Sequence, residues 1–164
     1  MSYLLDANVF IAAKNLHYGF DFCPGLWRWI EQKSSDGIVL SIDKVGDEIQ
    51  AGDDDLSDWA KNLGSALFRP TDTAVAAAFP QVSAWATSQQ YEPGAINTFL
   101  QAADYYLIAH GLAGGHTIVT HETPSTSVKR IKIPDACVGL QIRFMTPFQM
   151  LRVERAQFVL GGAR

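Results

Sequence analysis

Three short apolar runs, "YLL" at residues 3–5, "IVL" at 38–40 and "TIV" at 117–119, suit strands buried on both faces, and long segments of helical spacing separate them. Behind the first run, "ANVFIAAKNL" sets Val9, Ala12, Ala13 and Leu16 on one side of a helix. "CPGLWRWIEQKSSDG" reads as a second helix: Pro24 suits its first turn, Leu26, Trp29 and Ile30 form its stripe, and Gly37 ends it. Behind "IVLS", the segment "IDKVGDEIQAG" turns Ile42, Val45 and Ile49 inward until Gly52. Strands that alternate with helices require right-handed crossovers. The expected fold is therefore α/β, with three layers (α/β/α) around a central, mainly parallel sheet.

Further along, "DDDLSDWAKNLG" reads as a short capped helix whose acidic start complements the helix dipole. "TDTAVAAAFPQVSAWATSQQ" reads as a helix kinked or split by Pro80. "PGAINTFLQAADYYLIAHGLAGG" predicts one long helix with Ile96, Phe99, Leu100, Ala103, Leu107 and Ile108 on its apolar face. After "HTIVT", the alternation in "VKRIKI" predicts a fourth strand, "GLQIRFM" a fifth and "TPFQMLRVER" a closing helix.

The length, with 48% hydrophobic residues, fits a single domain over 1–164. A net charge of −4 excludes a surface that is basic throughout, as a general nucleic-acid trap would be, and leaves room for a local patch. Lys129, Arg130 and Lys132 are candidates for one: either they guard a strand edge or they meet phosphates. Cys23 and Cys137 lack CxxC spacing and are expected as free thiols. His17, His110, His116 and His121 lack HxxxH or HExxH spacing and are expected at the surface or at caps. Phe20, Phe22, Trp27 and Trp29 are expected in the core, with a partner groove as the alternative. The start has no basic stretch before an apolar one, and no run approaches about 18 apolar residues. A soluble, cytoplasmic protein without a membrane partner is expected.

In open α/β sheets ligands bind beyond the carboxyl ends of the strands, which brings Asp6, Ser41, Thr120 and Glu122 forward. Glu48 lies between Val45 and Ile49 at the edge of an inward stripe, away from the solvated face, and Asp104 sits four residues from both Leu100 and Ile108. Carboxylates gathered at one end of a sheet repel one another and raise each other's pKa. No nearby lysine or arginine in the sequence serves them all. Mg²⁺ or Mn²⁺, which take hard oxygen ligands and keep several waters, would resolve that conflict.

Asp6 with Asn8 after the first strand, Glu48 in "VGDEI", Asp104 in "ADYYLIAHGLA" and "IVTHE" after a later strand together resemble the ordered motifs of the PIN domain. The ending "IPDACVGLQIRFMTPFQML" is similar to a bacterial PIN-like subfamily. The resemblance implies a PIN-like fold and an endoribonuclease that hydrolyses RNA phosphodiester bonds with Mg²⁺ or Mn²⁺ held by Asp6, Glu48, Asp104 and Glu122. Asn8 and Thr120 would stand behind the metal or position substrate. Glu122 falls where many members carry an aspartate, and Asp47 competes with Glu48 for the second position. The implied partners are RNA and a cognate antitoxin of a bacterial toxin–antitoxin pair; a second copy of the chain, in a homodimer, is a further candidate partner that the resemblance does not supply. Two alternatives stay open: a PIN-like interaction module without metal, and a haloacid dehalogenase-type phosphatase, which Asn8 disfavours because that pattern needs aspartate there.

Overall fold

The computed structural model describes residues 1–161, so the last three residues of the expected domain lie outside the described residues. Five strands form one sheet: β1 (Tyr3–Leu5), β2 (Val39–Ile42), β3 (Phe68–Arg69), β4 (Thr117–Val119) and β5 (Phe144–Met145). They run in the order β3-β2-β1-β4-β5, and every pairing is parallel. The register sets Tyr3 beside both Val39 and Thr117, and Leu4 beside Leu40 and Ile118. Because both faces of a parallel sheet are covered, β1, β2 and β4 are buried throughout, which is why they read as plain apolar runs.

Crossing right-handedly from β1 to β2 to β3 places α1 (Ala7–Ala12), α2 (Pro24–Ser35), α3 (Asp43–Gln50) and α4 (Asp55–Leu63) on one face. The chain then reverses direction. On the other face lie α5 (Thr73–Ser88), α6 (Pro93–Gln101), α7 (Ala103–Gly114) and α8 (Ile133–Leu140), with α7 packed against α5, α6 and α8. The last helix, α9 (Pro147–Val153), begins in a capping box in which Thr146 and Gln149 satisfy each other's backbone. This is the expected α/β/α arrangement. Among the described residues no helix is long and apolar enough to cross a membrane.

Several elements differ from expectation, each for a local reason. The long predicted helix is two: Ala102 is extended (φ −92°, ψ 161°), so α7 starts afresh at Ala103 with Asp104 in its first turn. Conversely, α5 runs through Pro80 as one helix, so of the expected kink or split the split does not occur. Pro80 and Ala76 are both exposed, so the Ala76 carbonyl that loses its helical donor can turn to water. "VKRIK" is a loop rather than a strand, and the isoleucine after it, Ile133, is already the first residue of α8. Ile131 and Ile133 are both buried, but Pro134 in the first turn commits the segment to α8. The edge strand β3, two residues long, is too short to have shown periodicity.

Gly37 closes α2 as expected, with φ at 73° in the left-handed region that side chains disfavour. Trp27 stacks on Phe20 at 4.0 Å in the core, whereas Phe22 is exposed. Both cysteines are free. His110 is a buried core residue, not the surface or capping histidine expected.

Candidate functional site

The strand order reverses between β1 and β4: from β1 the chain builds outward to β2 and β3, then returns to build β4 and β5 on the other side. Such a switch point opens a crevice at the carboxyl ends of the two strands. Asp6 and Thr120 are the first residues beyond those ends. The Asp6 amide donates to the Val119 carbonyl at 2.9 Å and the Thr120 amide to the Met145 carbonyl at 3.0 Å, so both side chains leave the sheet from fixed backbone.

Thr120 is the centre of the network. Its hydroxyl donates to Asp6 Oδ2 at 2.8 Å and accepts from Asn8 Nδ2 at 3.3 Å and from the Glu122 amide at 3.1 Å. One proton and two lone pairs are the whole capacity of a hydroxyl, so its orientation is settled. Asn8 Oδ1 accepts from the His121 amide at 3.2 Å, which ties the β1–α1 turn to the turn after β4. Asp6 Oδ1 accepts from the Ala7 amide at 2.7 Å, so Asp6 also caps α1. With Asp6 only 6% and Thr120 only 1% exposed, the bond between them is buried and has little tolerance for an unpaired group, while Asn8 and the turn after β4 close the network from a partly buried position.

The remaining carboxylates come from three other segments. Asp104, half-buried, stands in the first turn of α7, where the helix dipole favours an anion. Glu122 has a side chain only 13% exposed; its Oε1 accepts from the Ile133 amide at the start of α8, and Arg130 Nη2 lies 3.8 Å from its Oε2. Glu48 departs from the expectation that it avoids solvent: it is exposed on α3, as is Asp47. Glu48 nonetheless shares a cleft of about 440 Å³ with Asp104, Lys44, Gln101 and Tyr106, and Asp47 is not among its lining residues. A second cleft of about 400 Å³ also reaches Asp104 and is lined by Thr98, Phe99, Lys129 and Arg130.

Electrostatics link all four groups. Burial first, then the charge of Asp104, and against the Thr120 hydrogen bond also that of Glu122, push Asp6 up to about 7. Asp104 is pushed up to about 6 by burial and then by Glu122 and Glu48, while Arg130 pulls it down. Near neutrality this end of the sheet is short of positive charge, and Arg130 supplies part of it. The donors are carboxylate oxygens with a hydroxyl and an amide behind them, a set whose chemistry suits a hard divalent cation. Among the described residues, however, no three His, Cys, Asp or Glu side chains are gathered closely enough to hold a metal ion as they stand.

Two features here had little sequence signal. The break at Ala102, which puts Asp104 at a helix start, occurs in a run without glycine or proline. Lys44, whose Nζ lies 4.9 Å from the centroid of the Tyr106 ring, could have been found only as the residue one turn before Glu48.

No protein among the curated sequences matches this chain. Among solved structures, VapBC2 from Rickettsia felis, determined bound to a DNA fragment from their promoter, has a similar fold: the TM-score is 0.56 at 14% identity, over 89% of this chain and 98% of that one. That likeness is one of architecture, and it bears out the PIN-like fold expected from the motifs. A family model described as "Domain of unknown function (DUF4411)" matches residues 3–158, and the chain belongs to that family.

Proposed function

We propose that this chain is a single-domain, metal-dependent endoribonuclease and the toxin of a bacterial toxin–antitoxin pair, acting in the cytoplasm. The observation that carries the reading is the mutual electrostatic influence of Asp6, Asp104, Glu122 and Glu48 around the switch point between β1 and β4. The toxin assignment rests on the PIN-like motifs and on the likeness of fold to VapBC2. A cognate antitoxin would cover the acidic end of the sheet, and a second copy of the chain is the other protein partner proposed.

Asp6 and Asp104 would hold Mg²⁺ or Mn²⁺ with Glu122 and Glu48, directly or through the waters such ions retain. The ion would supply an activated water for in-line attack and charge for the leaving oxygen. Thr120, by donating to Asp6 Oδ2, keeps that carboxylate turned while its remaining lone pairs stay available. Asn8 holds the turn after β4 in place through the His121 amide. Glu122, anchored by the Ile133 amide, is placed to accept a hydrogen bond from the attacking water or to join the ligands. Glu48 rather than Asp47 supplies the α3 carboxylate, because it shares a cleft with Asp104.

A second reading, a PIN-like interaction module without metal, is favoured by the absence among the described residues of a ready-made three-ligand group. Incubating the purified chain with single-stranded RNA separates the two. The nuclease reading expects cleavage in Mn²⁺ or Mg²⁺ and none in excess EDTA. Asp6→Asn and Asp104→Asn should each lower the rate by more than the roughly 10–100-fold typical when a group behind a metal ligand is lost. Undiminished cleavage in EDTA, or in both variants, would contradict it.

A further inference from the structure

The two clefts beside Asp104 differ in lining but share one property: each presents cationic side chains next to the acidic centre. Lys44, its ammonium against the Tyr106 ring, lines one, and Lys129 and Arg130 line the other. Among the described residues neither Lys44 nor Lys129 has a carboxylate within ion-pair distance. The Arg130 side chain is 65% exposed, and its pair with Glu122, at 3.8 Å, is of the open kind that adds little to stability. Most of its donor fork therefore remains free for a planar or tetrahedral anion. On a chain of net charge −4, such a flanking arrangement is a local device rather than part of a general basic surface.

We propose that one single strand of RNA crosses Asp104 from the Lys44 cleft to the Lys129 and Arg130 cleft, with these cations meeting the phosphates on either side of the bond to be cut. The assignment rests on the ribonuclease reading and adds to it the path of the substrate. It explains why both clefts that reach Asp104 carry cations beside a centre that would by itself repel a polyanion. It also accounts for Arg130 being only loosely held by Glu122: a phosphate can take the guanidinium without unfolding the loop that carries it. With three cations engaged, the logarithm of affinity should fall with the logarithm of salt concentration with a slope of roughly −2, at about −0.7 per contact for single strands.

The test measures binding apart from cleavage. A fluorescein-labelled single-stranded RNA of twelve nucleotides is titrated in Mg²⁺ with full-length Asp6→Asn protein, which is expected not to cut, over a range of KCl concentrations. Adding R130Q or K44Q should each weaken binding several-fold at low salt and reduce the slope by about 0.7. R130K should keep the slope, and K61Q, on exposed α4, should change neither quantity. If R130Q and K44Q behave like K61Q, or if double-stranded RNA of the same length binds as well, the path is wrong. Cleavage is assayed separately on the unsubstituted chain. Cleavage with an unaffected salt slope would overturn the path alone, whereas the expected slopes without cleavage would overturn the nuclease reading and, with it, the placing of these cations around a bond to be cut.

Discussion

Thr120 shows how much of the site depends on one hydroxyl. Replacing it with valine keeps the shape but leaves Asp6 Oδ2, Asn8 Nδ2 and the Glu122 amide without their common partner. Stranding buried polar groups costs about 1–3 kcal/mol, so Thr120→Val should lower the urea midpoint clearly while Thr120→Ser stays close to the parent. Asp6 makes a second prediction, in pH. Its pKa is raised in the fold from 3.8 to about 7, so between those values the folded chain holds a proton that the unfolded chain has released. The stability that goes with this proton is complete below the unfolded value and is lost as pH rises through the folded one, by on the order of a few kcal/mol in all. In EDTA, Asp6→Asn should therefore gain on the parent from about pH 4 to pH 7 in urea unfolding; parallel curves would refute the assigned environment. Both residues could be picked out in the sequence because each directly follows a short apolar run. Glu48 was harder to place, since neighbouring buried Val45 and Ile49 do not reveal that its own side chain reaches solvent.

At the level of elements, helix beginnings organise the site. Asp6 caps α1, Asp104 lies in the first turn of α7, and Glu122 meets the first amide of α8. The helix contact of Glu122 and the role proposed for it in cleavage can be separated. Glu122→Gln keeps an oxygen for the Ile133 amide, so it should unfold within about 0.5 kcal/mol of the parent and yet cut RNA more slowly; Glu122→Ala should lose cleavage and also about 1 kcal/mol of stability. Urea unfolding and initial cleavage rates on the two variants check this. The helix beginnings were unevenly readable. Pro24 and the aspartates of α4 mark theirs, while the break before α7 rests on the extended backbone of Ala102 in a stretch whose composition is helical throughout. Likewise the alternation of Ile131 and Ile133 imitates a strand, because a loop that buries its last isoleucine just before a helix that buries its first has the same spacing.

Across the whole molecule, the strand order matters most. The runs of "YLL", "IVL" and "TIV" suffice to infer a parallel sheet with helices on both faces, but not which strands adjoin. Only the order β3-β2-β1-β4-β5 sets Asp6 against Thr120 at the reversal and explains why the crevice lies there. The same assembly gathers carboxylates whose repulsion works against the fold; a cation held there, as proposed, would offset it and so couple metal binding to folding. A ligand that binds only the folded chain stabilises it by about 2.7 kcal/mol at one hundred times its dissociation constant, enough to raise the melting temperature of a chain this size by several degrees. The most direct measurement is thermal unfolding of the parent, Asp6→Asn and Asp104→Asn over increasing MnCl₂ at pH 7.5. The expected result is a saturable rise in the parent that is largely lost in both variants; no rise, or an equal rise in all three, would contradict a metal site built from these carboxylates.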